Sequence, residues 1–396
     1  MSWTDLAFTV TTPMFLGRGD TQGDGFRVPE LRGALRFWFR ALAAERVGND
    51  LALLAALEGS VFGAATGGRG RPSAVRLRVK DAPDPTDTLA PPWLRQPPRQ
   101  QRRAGNGLGY LLGPGLFKPR GRGEPDRVLR PYLEPDPQAQ GLVQVDPGPY
   151  GDLVACCLWA VATRGGLGAR VRRGFGGIQF DPAGLQALLP GVGTALQLPS
   201  SREALTAVQG LFAAALDHHF PKQLQGRSQP EPPARASYPQ LSKRWYVSSI
   251  SRGSWSSWHE ALHVLGDAFR AHRTPRERPE QERAFKRYVT AEYQDIVTKR
   301  PPRDPPDFPL AAFGLPIGFK ASWVEVDGMR RASPLWMRPV QVGAGEWRLH
   351  YQVFRSTFLP DDARLRLRRG GGPAAPLHID DRLVEHTLLA WLKTAP

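Results

Sequence analysis

Three short patterns in this 396-residue chain bring chemically capable side chains into register. Arg32, Arg36 and Arg40 recur at i, i+4 and i+8, a spacing that lines three guanidinium forks along one side of a helix. Each fork can donate two N–H groups to one oxyanion, so the row reads either as a ruler for phosphates or as a solvated basic face. No acid lies between Glu30 and Glu45 to neutralise it within the helix, and Gly33 on the same side leaves room for a partner's backbone. The second pattern, Arg164 to Ile178, holds six glycines together with Arg164, Arg170, Arg172 and Arg173, and no acid occurs between Asp152 and Asp181. Glycines such as Gly166, Gly168 and Gly174 let backbone N–H groups approach an oxyanion, while the arginines supply charge. The lysine and Ser/Thr of a phosphate-binding P-loop are missing. The third pattern is His259-Glu260-Ala261-Leu262-His263. Histidines one turn apart can ligate zinc, with the intervening glutamate as general base.

The elements that must position these groups follow from periodicity. Leu31, Leu35, Trp38 and Leu42, with Ala34 and Ala41 beside them, fall on one face of a helix opened by Pro29 and Glu30, which sets the arginines on the opposite side. A strand from Trp3 to Leu16 precedes it, and a helix over Asp50–Phe62, a strand over Ala74–Lys80, a strand over Leu142–Val145 and a buried helix over Leu153–Thr163 follow. The stretch at 81–137 reads as an extended, partly disordered Pro/Arg-rich insertion: prolines crowd its first half, and Arg95, Arg99, Arg102, Arg103, Lys118, Arg120 and Arg122 occur with no acid between Asp87 and Glu124. It suits either a clamp on a polyanion or a soluble loop. Beyond it we expect a helix from the low 200s to 216, a strand over Trp245–Ile250, helices from Ser256 and over Pro279–Lys299, strands over Phe319–Val326, Leu335–Val342 and Trp347–Phe354, an edge strand carrying Arg364, Arg366 and Arg368, and a closing helix over Asp380–Lys393.

Composition narrows the class of partner. There are 53 basic and 37 acidic residues, a net charge of +16, which favours a polyanion. Forty-five of the basic residues are arginine, and 42 glycines and 39 prolines accompany them, a bias that a GC-rich genome produces by itself. That bias explains arginine over lysine; the excess over acids needs another cause. The only cysteines, Cys156 and Cys157, are adjacent, which excludes a disulfide framework and a Cys-based zinc knuckle and fits a reducing cytoplasm. No leader is read at Met1-Ser2-Trp3, and the longest apolar run, near Leu153–Ala162, falls well short of the ~20 residues a membrane span requires.

Three segments occur in an order that resembles one family: Leu31–Arg40, then Leu57-Glu58-Gly59-Ser60-Val61-Phe62-Gly63, then Gly166–Gly176. With Gly314-Leu315-Pro316-Ile317 and Arg331-Ala332-Ser333-Pro334-Leu335, they resemble the RAMP superfamily of CRISPR proteins, and within it the first subunit of the type III-B (Cmr) effector complex. The likeness runs from residue 8 to about 340 and leaves out the Pro/Arg insertion. It implies an α+β chain of two ferredoxin-like (RRM-like) RAMP domains, which we place at 1–190 (insertion 81–137) and 191–396 (helical insertion about 256–300). It also implies a non-catalytic RNA-binding subunit of a cytoplasmic antiviral ribonucleoprotein, partnered by guide RNA (its 3′ portion), target RNA and neighbouring RAMP subunits, with no membrane partner and no cofactor. Arg32, Gly33, Arg36, Arg40, Arg164, Gly166, Gly168, Arg170, Arg172, Arg173 and Gly174 are the expected RNA contacts.

Two alternatives stand beside this reading. A Zn-dependent hydrolase would use His259, Glu260 and His263, with Glu277, Glu280, Glu282 or Glu292 as third ligand. Ser256 or Ser257 as N-cap puts His259 in the first helical turn, and Phe269 stands where the longer zinc-peptidase pattern has His or Asp, so we expect no metal. A guide-processing endoribonuclease is the other, since relatives in the superfamily cleave precursor RNA.

Overall fold

The computed structural model describes residues 3–17, 25–66, 69–95, 106–121, 124–195, 201–226, 235–273, 305, 307–319, 322–326, 329–369 and 374–396. The first half runs β1 (Thr4–Val10), α1 (Val28–Val47), α2 (Leu51–Phe62), β2 (Arg76–Asp81), α3 (Gly107–Leu112), β3 (Gln140–Asp146), α4 (Gly151–Arg164), β4 (Ile178–Phe180), α5 (Pro182–Leu188) and α6 (Arg202–His219). β1 buries Leu6, Phe8 and Val10 on one face. It pairs antiparallel with β3 on one side (Leu6↔Val143) and β4 on the other (Val10↔Ile178). β2 completes the sheet on β3, giving the order β2-β3-β1-β4. α1 lays Leu31, Leu35, Trp38, Phe39 and Leu42 into the core, the face that the sequence spacing indicates. Asp50 caps α2 by accepting from the Leu53 N–H at 2.9 Å. From Leu153 to Arg164, α4 exposes nothing beyond a trace, which suits a helix covered on all sides.

The second half contributes β5 (Tyr246–Ile250), α7 (Trp258–Arg273), β6 (Ile317–Phe319), β7 (Ser322–Val326), β8 (Leu335–Gly343), β9 (Glu346–Phe354), β10 (Leu365–Arg369), β11 (Ala375–Leu377) and α8 (Asp381–Thr394). They form two antiparallel sheets, β8-β9-β5 and β6-β7-β10-β11. Alternation along β8 and β9 splits their side chains: Met337, Leu349, Tyr351 and Val353 join the core that holds α7 and α8, while Trp336 and Phe354 join the core of the first half. Phe37 of α1 stacks on Trp336 at 5.5 Å and Trp38 lies 5.6 Å from it, so the two halves share a continuous apolar seam. The result is a mixed α/β architecture with antiparallel sheets.

Several expectations need correction. The two cores do not divide at residue 190: Val208, Phe212 and Leu216 of α6 pack into the first core, and Trp93, Leu108, Leu111, Leu112 and Tyr132 pack into the second. The described part of 81–137 is therefore a folded element, because its apolar residues find a buried face that the proline count conceals. α3 meets α7 so closely that a Cβ on Gly107 would lie 2.3 Å from the His263 carbonyl oxygen, and one on Gly266 would lie 1.8 Å from that of Gly107. Arg99, Arg102, Arg103 and Arg122, and the helix expected over 279–299, lie outside the described residues. The helix expected as part of an insertion near 256–300 begins as α7, a core helix seated on β8 and β9. β10 is not an edge strand: β7 flanks it on one side and β11 on the other, and Arg368 pairs with Glu325.

Candidate nucleic-acid interface

The α1 stripe is present and is not free. Arg36 Nε donates to Glu58 Oε1 at 2.6 Å, and Arg40 Nη1 donates to both Glu58 oxygens at 2.9 and 3.0 Å. Glu58, with 7% of its side chain exposed, sits on α2, outside the acid-free stretch between Glu30 and Glu45. Arg32 is half-buried and makes no hydrogen bond or ion pair among the described residues. Gly33 is exposed, and a Cβ there would meet nothing. The stripe thus reduces from three available guanidiniums to one.

The Gly-Arg segment is a tight loop wedged between the halves. Leu167 N–H donates to the Gly176 carbonyl, Ala169 N–H to Phe15 and Gly176 N–H to Pro13, while Met337 N–H of β8 donates to the Arg172 carbonyl at 3.0 Å. Gly176, with φ +73°, would put a Cβ 1.9 Å from the Leu167 carbonyl oxygen, so this turn admits only glycine. Gly174 is where the loop touches the second half: a Cβ there would lie 2.5 Å from Leu262. Gly166 and Gly174 are buried, and Gly168 is exposed. The glycines serve close packing, and the loop's partly exposed charged groups are its arginines.

Arg164 is a further correction. None of its surface is exposed, its Nη2 donates to the Ser201 carbonyl at 2.9 Å, and Gln352 donates to its own carbonyl. Its guanidinium lies inside the fold, apart from the loop's half-buried arginines. Arg170, Arg172 and Arg173 behave differently. They are half-buried, none pairs with a carboxylate among the described residues, and they lie among further arginines. Burial, then Arg331, lowers the Arg172 pKa to about 10. Burial, then Arg273 and Arg170, lowers that of Arg173 to about 10. Burial, then Arg330, lowers that of Arg170. Aromatic faces take the place of acids: Arg172 stands 5.1 Å from Trp336, Arg173 5.7 Å from Phe269, and Arg273 5.4 Å from that same ring. Arg170 holds φ +64°, a left-handed conformation in a non-glycine residue, and donates to the Pro114 carbonyl. Partly desolvated cations with no counter-charge are costly, and a polyanion laid across them offsets that cost.

Arg273, Arg330 and Arg331, outside the three sequence patterns, lie close enough to act on the loop arginines, and the sequence carries a signal for one of them. Arg331 opens the segment 331–335 quoted for the family likeness, and its backbone pairs both ways with Leu315 of the 314–317 segment, at 2.7 and 3.2 Å. Those two motifs are one structural unit beside the loop.

The H-E-x-x-H residues have structural partners. Glu260 N–H donates to Ser257 Oγ, and the Glu260 carboxylate accepts from the Ser256 N–H and Oγ, a capping box that fixes the start of α7. His263 has no exposed surface and its Nε2 donates to the Trp93 carbonyl at 3.3 Å; burial lowers its pKa to about 4, leaving it neutral. His259 is half-buried beside Ser257 Oγ. No group of three or more potential metal ligands occurs among the described residues, and Glu277, Glu280, Glu282 and Glu292 lie outside them.

Residues 7–179, which span α1, α2 and the Gly-Arg loop, match the RAMP superfamily. That stretch carries the RAMP-superfamily pattern. Over 338 residues, 85% of the chain and 82% of the relative, it is 25% identical to the CRISPR system Cmr subunit Cmr1-1 of Pyrococcus furiosus. It is 26% identical to Cmr1-2 of the same organism over 182 residues, 43% of this chain and 90% of the relative. The apo crystal structure of Cmr1 from Pyrococcus furiosus has a similar fold, with a TM-score of 0.56 at 20% identity, covering 100% of this chain and 98% of that one. Among the described residues no helix of the chain is long and apolar enough to cross a membrane.

Proposed function

We propose that this chain is a non-catalytic RNA-binding subunit of a type III-B CRISPR effector ribonucleoprotein, acting in antiviral defence in the cytoplasm beside other RAMP subunits. Its RNA, the 3′ portion of a guide or the target paired with it, lies across Arg170, Arg172 and Arg173, with Arg273, Arg330 and Arg331 extending the track and Arg32 adding a contact on α1. The observation that carries this reading is the loop's set of half-buried arginines with no carboxylate partner among the described residues. Contacts of that kind fix a phosphate backbone without reading its sequence. Two ferredoxin-like domains fit the strand paths. The first half follows β-α-β-β-α-β with order β2-β3-β1-β4, and β5, α7, β8, β9 and α8 repeat the path in a sheet of order β8-β9-β5.

Ultraviolet crosslinking of single-stranded RNA to the full chain, followed by peptide mapping, tests the placement. Crosslinks are expected in 167–175 and 329–336, with the RNA recovered uncut. Crosslinks confined to α1, or RNA cleaved without added metal, would overturn it.

A further inference from the structure

The face of the β8-β9-β5 sheet that meets the first half carries a second group of cations, none of them part of the loop. Arg338 and His350 are directly opposite in the β8-β9 register. Arg164, at the end of α4, points its Nη1 at His350 Nε2, 3.1 Å away. Because an arginine only donates, His350 Nε2 accepts and its proton sits on Nδ1. Among the described residues that Nδ1–H has no acceptor, and neither do Arg164 Nε, Arg338 Nη1 or Trp159 Nε1, the last on a ring 5.3 Å from the Arg164 guanidinium. Arg164 has none of its surface exposed, His350 1% and Trp159 none. The remaining polar groups are already matched: the Tyr246 hydroxyl donates to Gln352 Oε1 at 2.8 Å, and Gln352 Nε2 donates to the Arg164 carbonyl. Among the described residues no carboxylate acts on either guanidinium: burial lowers the pKa of both, Arg164 lowers that of Arg338 further, and Tyr246, which also hydrogen-bonds Arg164, partly offsets the effect.

Two buried guanidinium charges and four orphaned donors in one place define what is missing. The complement is acceptor-only, carries more than one negative charge and offers several oxygens. A water molecule supplies no charge and accepts two bonds, so hydration leaves the cations uncompensated. A tetrahedral oxyanion meets every requirement. Access is at hand on the same face, where Ser248 and Ile250 of β5 are exposed and Arg338 keeps 8% of its surface open. We propose that the seam between the two cores binds a phosphate-class oxyanion, held by Arg164, Arg338, His350 and Trp159, which ties the second sheet to the first half of the chain. The oxyanion is either free phosphate or the terminal phosphate of a bound RNA.

Sulfate, whose charge is constant near neutral pH, is the probe. The full chain carrying Arg172→Ala and Arg173→Ala, which removes the loop as a competing site, is titrated with sulfate against chloride at fixed ionic strength, by calorimetry and by melting. One sulfate per chain is expected, with a rise of about 3 °C at a hundredfold excess over Kd. Adding Arg338→Met, which keeps the volume and removes the charge, should abolish the saturable response; should that chain not fold, His350→Gln should weaken the affinity about tenfold. Displacement of sulfate by RNA ending in phosphate, and not by the same RNA ending in hydroxyls, assigns the site to an RNA end; retention of sulfate assigns it to the free ion. A response no larger than that to chloride, or one unchanged by Arg338→Met or His350→Gln, overturns the proposal.

Discussion

The α1 stripe and the Gly-Arg loop are built from the same residue type, both are free of acids in the local sequence, and they end in opposite states. On α1, Arg36 and Arg40 converge on one carboxylate, Glu58. In the loop, Arg172 and Arg173 face aromatic rings and other arginines. The first arrangement is a buried acid with two cations around it, a device of the fold. The second is a charge excess with no carboxylate partner among the described residues, one that a polyanion can complete. Spacing reports where guanidiniums line up; whether they are available is decided by elements far away in the chain.

That distinction can be broken from the α1 side first. Replacing Arg36 and Arg40 together with alanine strands a nearly buried carboxylate, and should cost about 3–5 kcal/mol of unfolding free energy in urea. RNA affinity of the remaining folded protein should stay within a few-fold. Adding Glu58→Gln should recover much of the loss, and failure to do so would contradict the ion-pair account.

The helix beneath the loop sharpens the same point. His263 is held neutral in the fold, with a pKa near 4 against about 6.5 when unfolded. Between those values the unfolded chain binds more protons, so stability is full above pH 6.5 and falls as the pH drops toward 4, by up to about 3 kcal/mol. His263→Gln should flatten that slope, and a chelator should change nothing. A large loss of stability on chelation would instead mark a metal-dependent fold.

Smaller effects are expected in the loop backbone. Gly176→Ala forces a left-handed turn on a residue with a Cβ and should cost about 2–3 kcal/mol, lowering Tm and RNA affinity together. Arg170→Gly should do the reverse for stability, gaining up to about 1 kcal/mol by relieving its positive φ, while weakening RNA binding. A loop arginine that costs stability and supports binding is the signature of a site; one that supports both is a strut.

Much of the architecture was legible in the sequence because burial follows period. The apolar stripe of α1, the alternation of β1 and the apolar run Leu153–Ala162 of α4 each fixed an element and the face it buries. The seam was harder, since Trp336 and Met337 are neighbours in β8 whose opposite directions put them in different cores. Prolines in 81–137 masked apolar residues whose partners on α7 lie more than a hundred positions away. In the site, the charge-rich loop was readable and its availability was not. Glu58 lies on a separate helix, 18 to 22 positions from Arg40 and Arg36, so helix spacing in α1 gives no sign that it closes the stripe. The glutamate of H-E-x-x-H proved to be half of a capping box, a role that the serines at 256 and 257 already suggested.

The most direct test compares the two arginine pairs by the salt dependence of RNA binding. The wild-type chain should lose affinity for single-stranded RNA with a log–log slope of about −2 to −3, as three or four phosphate contacts require. Arg172→Ala with Arg173→Ala should make that slope shallower by about 1.4, equally for RNAs of different sequence. Arg36→Ala with Arg40→Ala, measured where the chain is folded, should leave it unchanged. If the α1 pair flattens the slope and the loop pair does not, the assignment of the interface is wrong.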